Sequence, residues 1–301
     1  MITLDSLIVN AVLKNDSVVA VASAADLEVL QAVSTALEKE LASFILFDDE
    51  KTLKDMIRNH FPQLSDNTKV KIFHAMDSSH AATLAVKAVS TGKATVLMKG
   101  NLATSAILKP VLNSEYGLRT GKILSHVAVF EVTGFDRLLF VTDAAMNIEP
   151  DLEAKAQIIR NAVATAHACG VLEPIVAPLA AIETVNPAMT PTTDAASLVV
   201  MNRRGQITGC IVDGPFALDN AISEKAAAHK GITGNTAGKA DILVVPTIEA
   251  GNILYKSLMY FANAKVGAII QGAKAPIVLT SRADSAESKL YSLALAILST
   301  K

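Results

Sequence analysis

Arg282 is the one guanidinium in a polar run, Thr280, Ser281, Arg282, Asp284 and Ser285, that follows the apolar run 277–279. A second polar group, Glu249, Gly251 and Asn252, follows the apolar run 242–245. Arginine offers a planar, two-pronged donor that matches phosphate oxygens, and a helix N-terminus adds free N–H groups and partial positive charge. Both groups therefore have the makings of a phosphate site. A third set, Lys99, Asn101, Thr104, Ser105 and Lys109, follows the apolar run 95–98. Gly100 lets a backbone approach closely there, and Thr104 and Ser105 fall in the first turns of a helix. Position alone leaves two readings open, a binding loop for phosphate or coenzyme A and a solvated strand–helix connection.

These groups need elements to hold them. Short Val- and Ile-rich runs bounded by Pro246 and Pro276 read as buried strands of a parallel sheet, and ligands of open α/β sheets bind beyond the carboxyl ends of such strands. Strands are predicted at 18–21, 44–47, 70–73, 95–98, 125–132, 138–141, 175–177, 207–212, 242–245 and 277–279. Helical periodicity runs through 4–12, from Asp26 to about 40, through 81–91, from Asp151 to Gly170 and from Glu249 past Leu258. Strand–helix alternation of this kind predicts an α/β fold with parallel sheets. Ser23 and Asp26 are read as helix caps, the Pro- and Thr-rich stretch 184–194 as a loop or lid, and 117–122 as a hinge.

Other chemistries are set aside on spacing. The glycine-rich stretch 231–239 is no phosphate loop, because no Ser or Thr follows Lys239 and a strand follows the stretch where one should precede it. No G-x-G-x-x-G or G-x-S-x-G stands in the chain. His74, Asp77 and His80 gather near a strand end without the ligand spacing of a metal site, so no metal is predicted. Cys169 and Cys210 are too few for a disulfide framework or a zinc site.

The bulk of the chain agrees with a packed enzyme-sized protein. Its 301 residues are 51% hydrophobic and 19% charged, enough for one large or two medium cores. A net charge of −2 gives no basic field for nucleic acid, and charged residues or Pro interrupt every apolar run short of a bilayer's width. No signal peptide is read at the N-terminus, so a cytoplasmic location is expected.

Five segments in order, VLMKGNLATSAILKPVL, VTDAAMNIEP, DGPFALDNAIS, ADILVVPTIEAGNILYK and GAKAPIVLTSRADS, resemble the phosphate acetyl/butyryltransferase family over roughly residues 95 to 290, with wording closer to its butyryl branch. The resemblance implies two α/β/α domains with a cleft between them, of isocitrate/isopropylmalate dehydrogenase-like architecture, with residues 1–124 and 273–301 in one domain and 125–272 in the other. It implies reversible acyl transfer from acyl-CoA to phosphate by direct attack, giving acyl phosphate and CoA. Ser281 and Arg282 match the family's Ser-Arg pair, the serine on the reacting carbonyl or thiolate and the arginine on phosphate. Acetyl-type members carry an aspartate seven residues after that serine, where this chain has Ser288. Glu287 is therefore expected to be the base, with Asp284 in the same cluster. Acetyl-type members also have arginine where Lys109 stands. CoA is a substrate, so no cofactor is expected. The expected partners are small molecules and further copies of the chain, with neither nucleic acid nor membrane. Activity on acetyl-CoA and a non-catalytic CoA-binding regulator are the rival readings.

Overall fold

The computed structural model describes residues 2–14, 16–279 and 284–300. The chain divides into two compact units, the first made of Leu4–Lys122 with the segment from Gly267 onward, the second of Ile123–Val266 with the chain start up to Thr3.

The first unit opens with α1 (Leu4–Val12), β1 (Val18–Ala22), α2 (Leu27–Glu38), β2 (Ser43–Asp48) and α3 (Glu50–His60). It continues through β3 (Val70–His74), α4 (Ser78–Ser90), β4 (Val96–Lys99) and α5 (Thr104–Val111). β1 is buried over four of its five residues and β4 over all four, which is the signature of strands covered by helices on both faces. β3, β2, β1 and β4 lie side by side and parallel, with Ala22 level with Lys99. Three of these helices begin where a short acidic side chain can satisfy the first N–H groups. Asp26 caps α2, Asp49 caps α3 and Asp77 caps α4, each accepting an N–H three residues on.

The second unit carries β5 (Ser125–Glu131), β6 (Leu139–Thr142), α6 (Leu152–Ala168), β7 (Ile175–Pro178), α7 (Thr190–Arg203) and β8 (Ile211–Val212). After them come α8 (Leu218–Ile222), α9 (Glu224–His229), β9 (Ile242–Val244) and α10 (Ile248–Tyr260). Its strands run in the order β5, β6, β9, β7, β8. The chain then passes through β10 (Lys265–Gln271) back to the first unit, where β11 (Ile277–Val278) pairs parallel with β4. The closing helix α11 (Ala286–Leu298) is buried along the whole of 288–298.

Several expectations are corrected. The sheet is not wholly parallel: β5 and β6 are antiparallel, as are β10 and β11. β10 was not expected at all. The strand predicted at 207–212 contracts to Ile211–Val212, and the loop predicted at 184–194 already contains the first turns of α7. Pro191 explains the last point, since proline suits the first turn of a helix, where its missing N–H leaves no bond unmade.

Candidate functional site

The C-terminal ends of β1 and β4 form the best-built corner of the first unit. Gly100 N–H donates to Ala22 O at 2.8 Å and Asn101 N–H to Ser23 O at 2.8 Å, so the turn after β4 is laced to the turn after β1. Only glycine permits this, because a Cβ on residue 100 would stand 2.0 Å from the Ser23 carbonyl oxygen. Lys99 ends β4 with 4% exposure and donates from Nζ to Gly100 O at 3.2 Å. A lysine ammonium this deeply buried is costly unless its surroundings supply acceptors or an anion. Asn101, Thr104, Ser105 and Lys109 are exposed. Thr104 and Ser105 open α5, whose N-cap residue Ala103 makes no side-chain cap, so its first N–H groups have none of the usual capping oxygens. Lys109 stands in the last turn of α5.

Ser23 belongs to this corner and, against the expectation from sequence, does not cap α2. Asp26 fills that place, its Oδ1 accepting Val29 N–H at 3.1 Å. Ser23 instead adopts φ +56°, a left-handed conformation that costs a non-glycine residue roughly 1–2 kcal/mol. Its hydroxyl is buried without a hydrogen-bond partner among the described residues. Sequence pattern alone cannot separate a serine of this kind from a cap.

β11 ends beside Met98, one residue before Lys99. The chain leaving it carries Ser281 and Arg282, which lie outside the described residues. Just beyond them Ser285 caps α11 by accepting Ser288 N–H at 3.1 Å. Glu287 is exposed in the first turn, and Tyr291 O–H lies 3.1 Å from its Oε1 and 2.8 Å from Asp5 Oδ1. Tyr291 is only 2% exposed, so it ties the Glu287 carboxylate to a rigid helix–helix contact.

Gly251 and Asn252 sit in the second unit, on α10. Thr247 caps that helix, and Gly251 N–H donates to Thr247 O at 3.1 Å. Its N–H is thus committed inside the helix. Gly251 serves close packing, since a Cβ there would stand 2.9 Å from both Ala144 Cα and Asp143 O. Asn252 is exposed on the next position of the same helix.

The His74, Asp77 and His80 group is accounted for by local structure. His80 Nδ1 accepts Met76 N–H at 3.2 Å, Asp77 accepts His80 N–H at 2.8 Å, and Glu50 N–H donates to His74 Nδ1 at 3.3 Å. Burial pushes the Cys169 thiol up to about 12 and the Cys210 thiol up to about 11, so both stay protonated at neutral pH and neither is a ready nucleophile.

Among the described residues no helix is long and apolar enough to cross a membrane. Comparison with known proteins bears on the chemistry. Residues 59–297 match the family model described as phosphate acetyl/butaryl transferase. A protein named probable phosphate butyryltransferase from Bacillus subtilis is 56% identical over 99% of this chain and 98% of its own length. A phosphate butyryltransferase from Clostridium beijerinckii is 52% identical over 93% of this chain and 92% of its own. The crystal structure of a branched-chain phosphotransacylase from Enterococcus faecalis V583 superposes with a TM-score of 0.81 at 39% identity, covering 94% of this chain and 98% of that one. With this likeness along nearly its whole length, the chain belongs to the phosphate acetyl/butaryl transferase family and is an acyltransferase.

Proposed function

We propose that the protein moves a butyryl group reversibly between CoA and phosphate, with butyryl-CoA and phosphate giving butyryl phosphate and CoA. The observation that carries the acyl chain length is the pair of relatives named for butyryl transfer, at 56% and 52% identity across almost all of the chain. In this reading a phosphate oxygen attacks the thioester carbonyl carbon, negative charge gathers on the carbonyl oxygen, and the C–S bond breaks to release CoA thiolate. Ser281 donates to the charge that develops there, and a single well-placed donor is worth roughly 3 kcal/mol in the transition state. Arg282 clamps the attacking phosphate. Glu287 takes the thiol proton when the reaction runs from acyl phosphate to CoA, and Asp284 stands in the same cluster. Lys99, Asn101, Thr104, Ser105 and Lys109 supply further donors for phosphate or CoA, as does Asn252, while Gly251 keeps α10 close to its neighbours. No metal or redox cofactor takes part, because CoA is a substrate.

The isocitrate/isopropylmalate dehydrogenase-like architecture, a homo-oligomeric state and a cytoplasmic location belong to the same proposal, supported by the family resemblance. The test is an assay of purified protein with butyryl-CoA and inorganic phosphate, following free thiol. The expected result is thiol release that depends on phosphate and runs faster with butyryl-CoA than with acetyl-CoA. Binding of butyryl-CoA without turnover would favour a regulator instead.

A further inference from the structure

Lys289 is 3% exposed, in the first turns of α11. Helical side chains lean back towards the N-terminus, and this one does so far enough for Nζ to donate to the carbonyl oxygen of Asp284, just ahead of the Ser285 cap. An ammonium has three protons to donate, and a backbone carbonyl uses one. Lys289 takes part in none of the ion pairs among the described residues. The nearest acid on its own helix, Glu287, is engaged by Tyr291 instead. The place is unfavourable for a cation twice over. Burial removes its hydration without a counter-charge, and the first turn of a helix carries positive potential of its own. The other deeply buried lysine of a helix, Lys155, shows the usual solution, a carboxylate of Asp194 at 2.6 Å. Among the described residues Lys289 has no such acid, and the N–H groups of Ala286 and Glu287 in the same turn have no acceptor within their helix.

We propose that Lys289 is a further substrate-binding residue, its buried ammonium and the N-terminal turn of α11 together holding a phosphate group. The inference deepens the acyl-transfer reading and rests on it for the identity of the anion. Two sources share that chemistry, the transferred phosphate and the phosphates of CoA. From Leu293 to Leu298 α11 is wholly aliphatic and buried, so a hydrocarbon side chain of the same length would suit the ligand-free protein at least as well as lysine does.

The test compares wild type, Lys289→Met and Lys289→Gln as full-length proteins by thermal unfolding, alone and with inorganic phosphate, CoA or dephospho-CoA. The expected result has three parts. Ligand-free Lys289→Met melts at or above wild type; the rise in Tm that phosphate gives wild type is lost, with apparent affinity weakened about tenfold or more; and the rise given by CoA survives. Loss of the CoA effect with an unchanged dephospho-CoA effect also supports the site and assigns it to the CoA 3′-phosphate. A lower ligand-free Tm with every ligand effect retained overturns the proposal, as does failure of both neutral variants to fold, since either makes the ammonium a structural donor. A wild type that responds to none of the ligands overturns it too. Should wild type gain stability from phosphate yet release no thiol from butyryl-CoA, the acyl-transfer reading fails while the anion site at Lys289 stands.

Discussion

Glu287 and Tyr291 stand one turn apart on α11, and one phenolic proton faces two carboxylates, Glu287 at 3.1 Å and Asp5 at 2.8 Å. The shorter contact is to Asp5, so Glu287 is oriented by Tyr291 while keeping lone pairs for another proton. A base at this position helps only where the CoA thiol is mostly protonated, below the ordinary thiol value of about 8.5. Glu287→Gln, assayed for acylation of CoA by butyryl phosphate, is therefore expected to be slow at neutral pH and to approach wild type as the solution becomes alkaline. A pH profile parallel to wild type would pass the role to Asp284 or to solvent. At this scale the sequence discloses what is local. The aspartate cap before α2 was legible, because capping depends on a residue and its next three neighbours. Ser23 was not, because the turn it occupies is tied by its carbonyl to Asn101 N–H, far along the chain. Lys289 escaped notice for a similar reason, since nothing in KLYSLALAIL says which face of the helix is covered.

α6 and α7 are pinned by the pair Lys155–Asp194, with 7% and 15% of the two side chains exposed. Such a pair gives little net stability, yet removing one partner leaves a charge buried alone. Lys155→Met is expected to lower stability by about 3–5 kcal/mol, and the double variant Lys155→Met with Asp194→Leu to recover most of that loss. Denaturant unfolding of the single and double variants measures both, and equal loss in the two would refute a charge-based account. Helices α1, α2, α4, α6 and α10 were readable from periodicity, and so were the strands followed by polar loops, whereas α7, α8 and α9 were not. β10 was missed because KVGAIIQ carries a glycine that reads as a breaker. The fold needs that glycine, for a Cβ on Gly267 would lie 2.9 Å from the Tyr291 backbone carbonyl carbon and 2.8 Å from Leu295 Cδ1. Helix α11 can approach β10 so closely only over a residue without a side chain.

The two units differ in how the chain supplies them. The second is almost wholly one stretch, Ile123–Val266, whereas the first is assembled from Leu4–Lys122 and the last part of the chain. α11 packs against α1 and α2 and is buried over 288–298, so it forms much of the first unit's core. A fragment of residues 123–266 is expected to unfold cooperatively on heating, and a fragment of residues 1–122 to lack a cooperative transition until a peptide of residues 267–301 is added. Calorimetry of the fragments decides this, and a cooperative transition in 1–122 alone would count against the division. No local pattern announces that a chain returns to its first core; the family resemblance raised that expectation, where composition and periodicity were silent.

The discontinuous unit also has a consequence for synthesis on the ribosome. When residue 122 has been made, β1, β2, β3 and β4 exist but α11, the helix that packs against α1 and α2, does not, and the whole of Ile123–Val266 must be translated first. At 5–20 residues per second, that interval is on the order of ten seconds. Throughout it α1 and α2, which pack against α11, wait for a partner that is translated last. A chain stalled or cut before α11 would therefore hold a finished second unit and an unfinished first one. Translation pauses late in the message, more than early ones, would decide how much of the nascent protein is captured by chaperones before it closes.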